Sequence, residues 1–250
     1  MKKPQLKKNK PVSSSIMSLS KHIALSGVCS RRKAVELIEK GSVIVNGKVV
    51  KEPGHKLAET DIVMANGNVV KPEAKLYILL NKPKDYITTV FDDKGRKTVM
   101  DLIRLNTDAR LYPVGRLDRS TTGLLVLTND GELAQRLSHP RYQIIKTYQI
   151  TLDKPLATAH FKKIGQEGAD LEDGHVDVDV IAYVPGERKQ IVMVDIHSGK
   201  YRVVRRIFES FGYTVKKLDR IAYAGLVKQG LKTGHWRFLE EHEVRALKKA

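Results

Sequence analysis

Five short runs of apolar or alternating residues constrain the fold more than any other feature of the sequence. They are separated irregularly, and helical patterns interrupt them in only two places, residues 131–139 and 201–212. A doubly wound parallel sheet needs a helix between successive strands, so this spacing argues against one. We expect an α+β fold with a mixed, mostly antiparallel sheet flanked by helices. The five predicted strands are 77–80, 124–128, 147–152, 176–184 and 190–196.

A smaller module precedes this region. The pattern predicts a short helix that ends at Gly27, then a second helix with Ser30 as its N-cap and Gly41 as its stop. Asn46-Gly47 lies between two β-rich runs and is a strong hairpin signal, and one further extended segment closes the module. The predicted organisation is a basic disordered tail over 1–16, an α-α-β module over 17–72 and an α+β domain over 73–250.

Positive charge points to a polyanionic partner. The formal net charge is +17, and about half of it lies in residues 1–72, which carry 14 basic and five acidic residues. Arg31, Arg32 and Lys33 begin the second helix, where the helix dipole disfavours each cation by roughly 0.3–1 kcal/mol. Free backbone N–H groups and cations together suit phosphate, whereas a solvated basic turn is the alternative. The module has no aromatic residue to stack on bases, so we expect recognition of structured RNA or DNA by backbone and shape.

Other functional classes find little support. No run of about 18 apolar residues predicts a membrane span, and the basic start lacks the apolar segment of a signal peptide. The single cysteine, Cys29, cannot form an internal disulfide or a multi-cysteine zinc site. The histidines are scattered without metal-binding spacing, and no glycine-rich nucleotide loop follows a strand. We therefore expect a soluble cytoplasmic protein without a metal.

The segment 112–133 carries the candidate catalytic chemistry. Arg116 and Asp118 immediately precede a strongly apolar predicted strand. A carboxylate between apolar segments needs a partner or a role, although an aspartate that caps a turn is the alternative. Arg205, in the second helical pattern, could pair with Asp118 and stabilise the charge that a carboxylate nucleophile needs.

These residues resemble a known signature. Residues 115–118 (GRLD) and 122–125 (TGLL) resemble the central motif of ribosomal RNA pseudouridine synthases, in the branch typified by RsuA, RluB, RluE and RluF. The front module resembles the S4 RNA-binding domain that such enzymes carry. Further similar segments follow in the expected order at 80–83, 128–131, 139–142, 146–148 and 204–206.

The resemblance implies a cofactor-free isomerase that converts a uridine in RNA to pseudouridine. The resemblance implies that Asp118 is the catalytic nucleophile and that Arg205 forms an ion pair with it. Tyr148 stacks on the target base and could assist proton removal from C5, while Arg116 fills the space left by the extruded nucleotide or contacts its neighbours. The residues expected to contact RNA elsewhere are Lys21, Arg31, Arg32, Lys33, Lys82 and Arg202.

Three positions depart from the family pattern. Tyr201 and Val203 stand where Asn and Gln are usual, and Asp85 stands where Gly is common. We expect an active enzyme whose substrate positioning differs. The segment 139–142 favours the large-subunit branch, so the expected partner is 23S rRNA, modified by a monomer. The alternatives are a 16S rRNA enzyme, or an RNA-binding ribosome-assembly factor that has lost turnover.

Overall fold

The computed structural model describes residues 17–105 and 109–250, and the predicted tail over 1–16 lies outside the described residues. The chain forms two compact units. The first comprises the described residues up to Ala74 together with 109–110, and the second comprises the remainder. None of the helices in this part of the chain has the length and apolar character of a membrane span.

The first unit packs two short helices on a small antiparallel sheet. Ser30 caps the second helix, since its hydroxyl accepts a hydrogen bond from the Lys33 amide at 3.2 Å, as expected. The sheet order is β3-β2-β5-β6, and β1 pairs separately with β4. The elements are β1 Met17–Ser18, α1 Leu19–Leu25, α2 Arg31–Glu39, β2 Val43–Val45, β3 Lys48–Val49, β4 Lys56–Leu57, β5 Val63–Ala65 and β6 Asn68–Val69.

Two tight hairpins build this sheet. Asn46-Gly47 joins β2 to β3 with both residues at positive φ, 50° and 79°, which confirms the predicted turn. Asn66-Gly67 joins β5 to β6 with nearly the same angles, 50° and 81°. The second turn carries the same sequence signal, so the segment expected to be simply extended is a hairpin.

The second unit is built on a nine-stranded sheet. The described part of the unit has eleven strands, of which β11 and β12 form a separate hairpin and the other nine form this sheet. They are β7 Tyr77–Lys82, β8 Tyr112–Pro113, β9 Thr122–Thr128, β10 Lys146–Leu152, β11 Ala169–Leu171, β12 Gly174–Val176, β13 Val180–Tyr183, β14 Ile191–Ile196, β15 Val215–Tyr223, β16 Leu226–Val227 and β17 Trp236–Phe238. Its helices are α3 Gly131–Ser138, α4 Thr158–Glu167, α5 Val203–Ser210 and α6 Glu241–Leu247, with 3₁₀ turns at Val99–Leu102 and Pro140–Tyr142.

The main sheet is mixed and mostly antiparallel, which confirms the expected fold class. Its order is β13-β14-β10-β15-β9-β7-β17, with β16 beside β15 and β8 beside β9. The pairing of β9 with β15 is parallel, and the other pairings in this sheet are antiparallel. This parallel pair brings the start of β9 beside the middle of β15.

Both faces of the central strands are buried. Leu125 and Leu127 face one core, into which α4 and α5 pack, while Leu124 and Val126 face a second core with α3 and α6. Strands covered on both faces read as continuous apolar runs, which explains why 124–128 was recognisable.

Two expectations about individual strands were incomplete. The run 176–184 is two elements, because Gly174–Val176 pairs with β11 in a separate hairpin and only Val180–Tyr183 joins the main sheet. Strand β15 was not expected at all, although it is nine residues long and lies at the centre of the sheet.

Candidate active site

Asp118 lies on the loop that connects β8 to β9. Gly115 adopts φ +70°, a conformation that favours glycine, where the loop leaves β8. The hydroxyl of Thr88 donates to the Leu117 carbonyl at 2.8 Å and accepts from the Leu117 amide at 3.2 Å. The Thr121 amide donates to the Asp118 carbonyl at 3.0 Å. These bonds fix the backbone on both sides of the carboxylate.

Lys82 supports the same loop from beneath. Its side chain is fully buried at the end of β7, and its ammonium donates to the carbonyls of Thr121, Pro83 and Asp118 at 2.8, 3.0 and 3.1 Å. Burial lowers the pKa of Lys82 to about 8. The expectation that Lys82 contacts RNA was therefore wrong, because the ammonium is enclosed and its protons are directed at backbone oxygens.

Asp85 explains one departure from the family pattern. It adopts φ +71°, which glycine tolerates freely and which Asp and Asn tolerate better than most other residues. Its amide donates to the Arg119 carbonyl at 2.9 Å, and its carboxylate lies 3.2 Å from Arg119 Nε. The aspartate thus keeps the glycine-like turn and adds an ion pair to the loop of Asp118.

Two guanidinium groups face the Asp118 carboxylate. Arg202 Nη1 lies 3.5 Å from Oδ2, and Arg205 Nε lies 3.9 Å from the same oxygen. Arg205 is buried, and its two terminal nitrogens donate to the Val215 carbonyl and to the Ser120 hydroxyl. The expected pair of Arg205 and Asp118 is thus within ion-pair distance, while Arg202, expected to contact RNA, is directed at Asp118 and is the nearer cation.

A rigid loop holds Arg202 in place. Its backbone is left-handed, with φ +46°, immediately before α5. The Lys200 ammonium donates to three successive carbonyls of residues 173–175, at 2.7, 2.9 and 3.1 Å. Arg206 binds both carboxylate oxygens of Asp173, at 2.6 and 3.0 Å. The loop is therefore tied to the β11–β12 hairpin on either side of the strained residue.

A cavity of about 470 Å³ opens beside Asp118, within the size range of small-ligand sites. Tyr148, on β10, is 9% exposed and lines this cavity, as do Arg116 and Arg202. Tyr201 also lines it but is 71% exposed. The structure thus brings together Asp118, Arg116, Tyr148, Arg202 and Arg205, and the cavity combines a carboxylate, several cations and aromatic surface.

The remaining predicted RNA contacts lie in the first unit. Arg31 and Arg32 are exposed in the first turn of α2. Lys33 is exposed too, but its ammonium pairs with Glu36 at 2.9 Å. Lys21 is half-buried on α1. Two exposed arginines at a helix N-terminus are compatible with phosphate contact, and Lys33 is already engaged within its own helix.

Two residues of the cavity were not predicted as site residues from the sequence. Lys146 and Arg220 line the cavity from β10 and β15. Lys146 precedes Tyr148 by two residues on a strand, so alternation alone places both side chains on one face. Arg220 had no comparable signal, because its strand was not predicted. In residues 17–105 and 109–250, no group of three or more His, Cys, Asp or Glu side chains comes together as metal ligands.

Comparisons with family models agree with this geometry. The model described as "RNA pseudouridylate synthase" matches residues 76–210, and that of the S4 domain matches residues 17–63. The first covers the loop of Asp118, Tyr148 and α5, and the second covers both helices of the first unit.

Individual proteins match along most of the chain. "Ribosomal large subunit pseudouridine synthase B" of Bacillus subtilis (strain 168) is 45% identical over 233 residues, covering 92% of this chain and 95% of that protein. "Dual-specificity RNA pseudouridine synthase RluF" of Shigella flexneri is 34% identical, covering 92% and 78%. A crystal structure described as a pseudouridylate synthase has a TM-score of 0.62 and 25% identity, and covers 92% of this chain and 99% of its own.

Proposed function

The chain belongs to the RNA pseudouridylate synthase family, and from this premise we propose that it isomerises a uridine of 23S rRNA with Asp118 as the nucleophile. The observation that carries the role of Asp118 is its carboxylate beside a cavity, with two guanidiniums within 4 Å of one oxygen. The large-subunit target is supported by the 45% identity to the Bacillus subtilis protein.

The proposed reaction needs a carboxylate and no cofactor. An Asp118 oxygen attacks C1′ of the ribose while the N1–C1′ bond breaks, and the bonding electron pair leaves with the uracil. The base then turns so that C5 attacks C1′, which releases the Asp118 carboxylate. The C5 proton then leaves to solvent and N1 takes up a proton, which restores the conjugated ring and completes an isomerisation with no net gain or loss of atoms.

The cavity side chains divide the remaining tasks. Arg202 and Arg205 orient Asp118 and offset its negative charge before attack. Tyr148 offers a mostly buried ring on which the base can stack, and aromatic stacking repays part of the cost of removing the base from its helix. Arg116 is exposed on the loop of Asp118, where it can take the space that the flipped nucleotide leaves.

The two units divide binding and chemistry. We propose that residues 17–72 bind rRNA through backbone and shape, and that residues 73–250 catalyse the reaction in a monomeric cytoplasmic enzyme. The exposed Arg31 and Arg32 and the basic composition of residues 1–72 support this division. The catalytic residues named above all lie within the second unit.

Tritium release tests the proposed reaction directly. RNA labelled with tritium at uracil C5 loses the label when C5 becomes bonded to the sugar, whereas binding alone releases none. We expect release from 23S rRNA by the wild-type protein and none by Asp118→Asn. Asp93→Asn, at an exposed acid outside the cavity, is the matched control and should remain active.

Mapping the modified site tests the target. Carbodiimide-dependent primer-extension stops should disappear from 23S rRNA in cells that lack the protein and return with the wild-type gene. Loss of a stop from 16S rRNA instead would move the target to the small subunit. Release and stops that persist with Asp118→Asn would contradict the nucleophile, and a wild-type protein that binds rRNA without releasing tritium would indicate an assembly factor.

A further inference from the structure

The floor of the cavity is formed by two adjacent strands. Lys146 and Tyr148 point to one face of β10, and their neighbours across the antiparallel pairing on β15 are Tyr223 and Arg220 respectively. All four side chains line the cavity. Residues three apart on a regular strand face opposite sides of a sheet, so Arg220 and Tyr223 require a local irregularity to share one face.

A β-bulge supplies that irregularity. Thr147 pairs with Ala222 and Tyr148 pairs with Arg220, so Ile221 has no partner on β10. The extra residue reverses the alternation, and both Arg220 and Tyr223 are buried on the cavity side. Bulges often redirect a side chain beside an active site, and this one brings Tyr223 to the face that Arg220 already shares with Leu218.

The Arg220 guanidinium is only partly satisfied. The residue is 2% exposed; its Nε donates to the Leu124 carbonyl at 2.7 Å, and its centre lies 4.4 Å from the ring centre of Tyr223. Its Nη2 is buried and has no hydrogen-bond partner among the described residues. An unmade hydrogen bond of a buried charged donor is costly, so a guanidinium in this state, on a residue that lines the cavity, points to an acceptor supplied by a ligand.

Lys146 adds a second cation to the same floor. Its ammonium donates to the carbonyls of His197 and Ile144 at 2.6 and 3.0 Å, which leaves one of its three protons for another acceptor. Within residues 17–105 and 109–250, no carboxylate lies within 4 Å of the Lys146 or Arg220 side-chain nitrogens. Asp118, the acid of the cavity, contacts Arg202 and Arg205 instead. Among the described residues, the two cations of the floor therefore have no carboxylate in direct contact, although Asp179 acts on Lys146 from a greater distance.

Resting on the reaction proposed above, we propose that Arg220 and Lys146 bind the carbonyl oxygens of the target uracil and neutralise the negative charge that this base carries while it is detached from the sugar. When the N1–C1′ bond breaks, the electron pair that leaves with uracil spreads over N1, O2 and O4. The two cations offer N–H donors to these oxygens beside the ring of Tyr148. When C5 attacks C1′, the electron pair returns to a covalent bond and the base becomes neutral.

This arrangement assigns the two groups of cations to opposite charges. Arg202 and Arg205 face the nucleophile, whereas Arg220 and Lys146 face the leaving base. The floor also selects among bases, because uracil presents two carbonyl oxygens, whereas cytosine has an amino group in place of O4 and would direct donors at donors.

Charge removal at Arg220 is the first test. In single-turnover reactions with excess enzyme, Arg220→Gln should lower the rate of tritium release by roughly 100- to 1,000-fold, the usual effect of removing one donor to a developing anion. The rate of tritium release by this variant should fall by a much larger factor than its affinity for RNA. Arg245→Gln, at an exposed arginine of α6, is the matched control and should leave the rate unchanged. An Arg220→Gln variant that stays folded and keeps the wild-type rate would overturn the assignment.

The pH profile at Lys146 is the second test, and it does not depend on whether Arg220 variants fold. Burial, followed by the charge of Arg220, lowers the pKa of Lys146 to about 8, and Asp179 acts in the opposite direction. If the charge is needed, the wild-type rate should fall about eightfold between pH 7.5 and 9, as the protonated fraction does. Lys146→Arg keeps its charge over this range and should lose that decline.

The Arg220 and Lys146 tests distinguish failure of this inference from failure of the proposed function. A wild-type protein with no tritium release would remove the reaction on which the inference rests. Activity that depends on Asp118 and yet is unchanged in Lys146→Gln would overturn the inference alone. A decline with pH that Lys146→Arg shares with the wild type would do the same, since another group, such as N3 of uridine, would then be the one that titrates.

Discussion

Gly123 lies where the structure leaves no room for a side chain. It adopts φ +111° near the start of β9 and lies directly beside Arg220 in the parallel pairing of β9 with β15. A Cβ atom placed on Gly123 would lie 2.3 Å from the Arg220 carbonyl oxygen and 2.5 Å from its amide nitrogen. Both neighbours are backbone atoms, so no side-chain rotation can relieve the contact.

The cost of Gly123→Ala follows from this geometry. Ordinary contacts of a Cβ begin near 3.4 Å, so the two strands must separate by about 1 Å at this point. Overpacking of this kind costs about 1–3 kcal/mol. Positive φ adds about 1–2 kcal/mol for a residue with a Cβ. We therefore expect the free energy of unfolding of the second unit to fall by about 2–5 kcal/mol.

Urea denaturation followed by the fluorescence of Trp236, the single tryptophan, measures this loss in the second unit. Gly225→Ala is the matched control, because Gly225 has φ +81° but no atom within 4 Å of its Cβ position. The control should cost only the strain of about 1–2 kcal/mol. If Gly123→Ala were no less stable than Gly225→Ala, the close approach of the two strands would be refuted.

Three further perturbations test other parts of the structure. Because the native pKa of Lys82, about 8, lies below the unfolded value of about 10.4, the unfolded state binds the proton more tightly between these limits. The wild-type free energy of unfolding should therefore rise between pH 8 and 10.4 relative to that of Lys82→Met, by up to about 3 kcal/mol. Urea titrations of both proteins at pH 7.5, 9 and 10 measure this, and a constant difference between their free energies of unfolding would contradict it. Asp85→Ala should be about 1 kcal/mol less stable than Asp85→Gly in the same assay, since only glycine accepts φ +71° without strain. Equal free energies of unfolding for the two variants would contradict this backbone conformation. Replacing Arg31 and Arg32 by Glu should reduce the slope of log affinity for rRNA against log salt concentration by roughly 0.7–0.9 per lost phosphate contact. Lys33→Gln should change this slope less, because Lys33 already pairs with Glu36. An unchanged slope in the Arg31 and Arg32 variant would mean that these arginines form a solvated turn that does not contact RNA.

Features determined by neighbouring residues could be predicted from the sequence. Asn46-Gly47 specifies its turn through the positive φ of two adjacent residues, and Ser30 caps a helix three residues away. The strand at 124–128 was evident because burial on both faces leaves a continuous apolar run. The pairing of Arg205 with Asp118 was offered as a possibility from charge complementarity and was then implied by the family motif, and the two side chains lie 3.9 Å apart.

Features that depend on distant parts of the chain were missed or misjudged. Strand β15 contains exposed Lys216 and Lys217 and a buried Arg220, and its bulge at Ile221 breaks the alternation that identifies a strand. Lys82 was expected to contact RNA, whereas its ammonium donates to carbonyls on a loop some forty residues further along. Burial of a cation is decided by tertiary contacts, which no local pattern reports.

The cation that lies nearest to Asp118 is held in a conformation that its residue type disfavours. Arg202 has φ +46°, which costs an arginine about 1–2 kcal/mol relative to glycine, and it gains no helix cap in return. Asp85, which pairs with Arg119 on the loop of Asp118, also has a positive φ and a charged side chain. A fold selected for stability alone would place glycine at both positions. At Arg202 the attraction between its guanidinium and the Asp118 carboxylate offsets part of this strain, and strained backbone of this kind is typical of positions whose side chain must be held in one place.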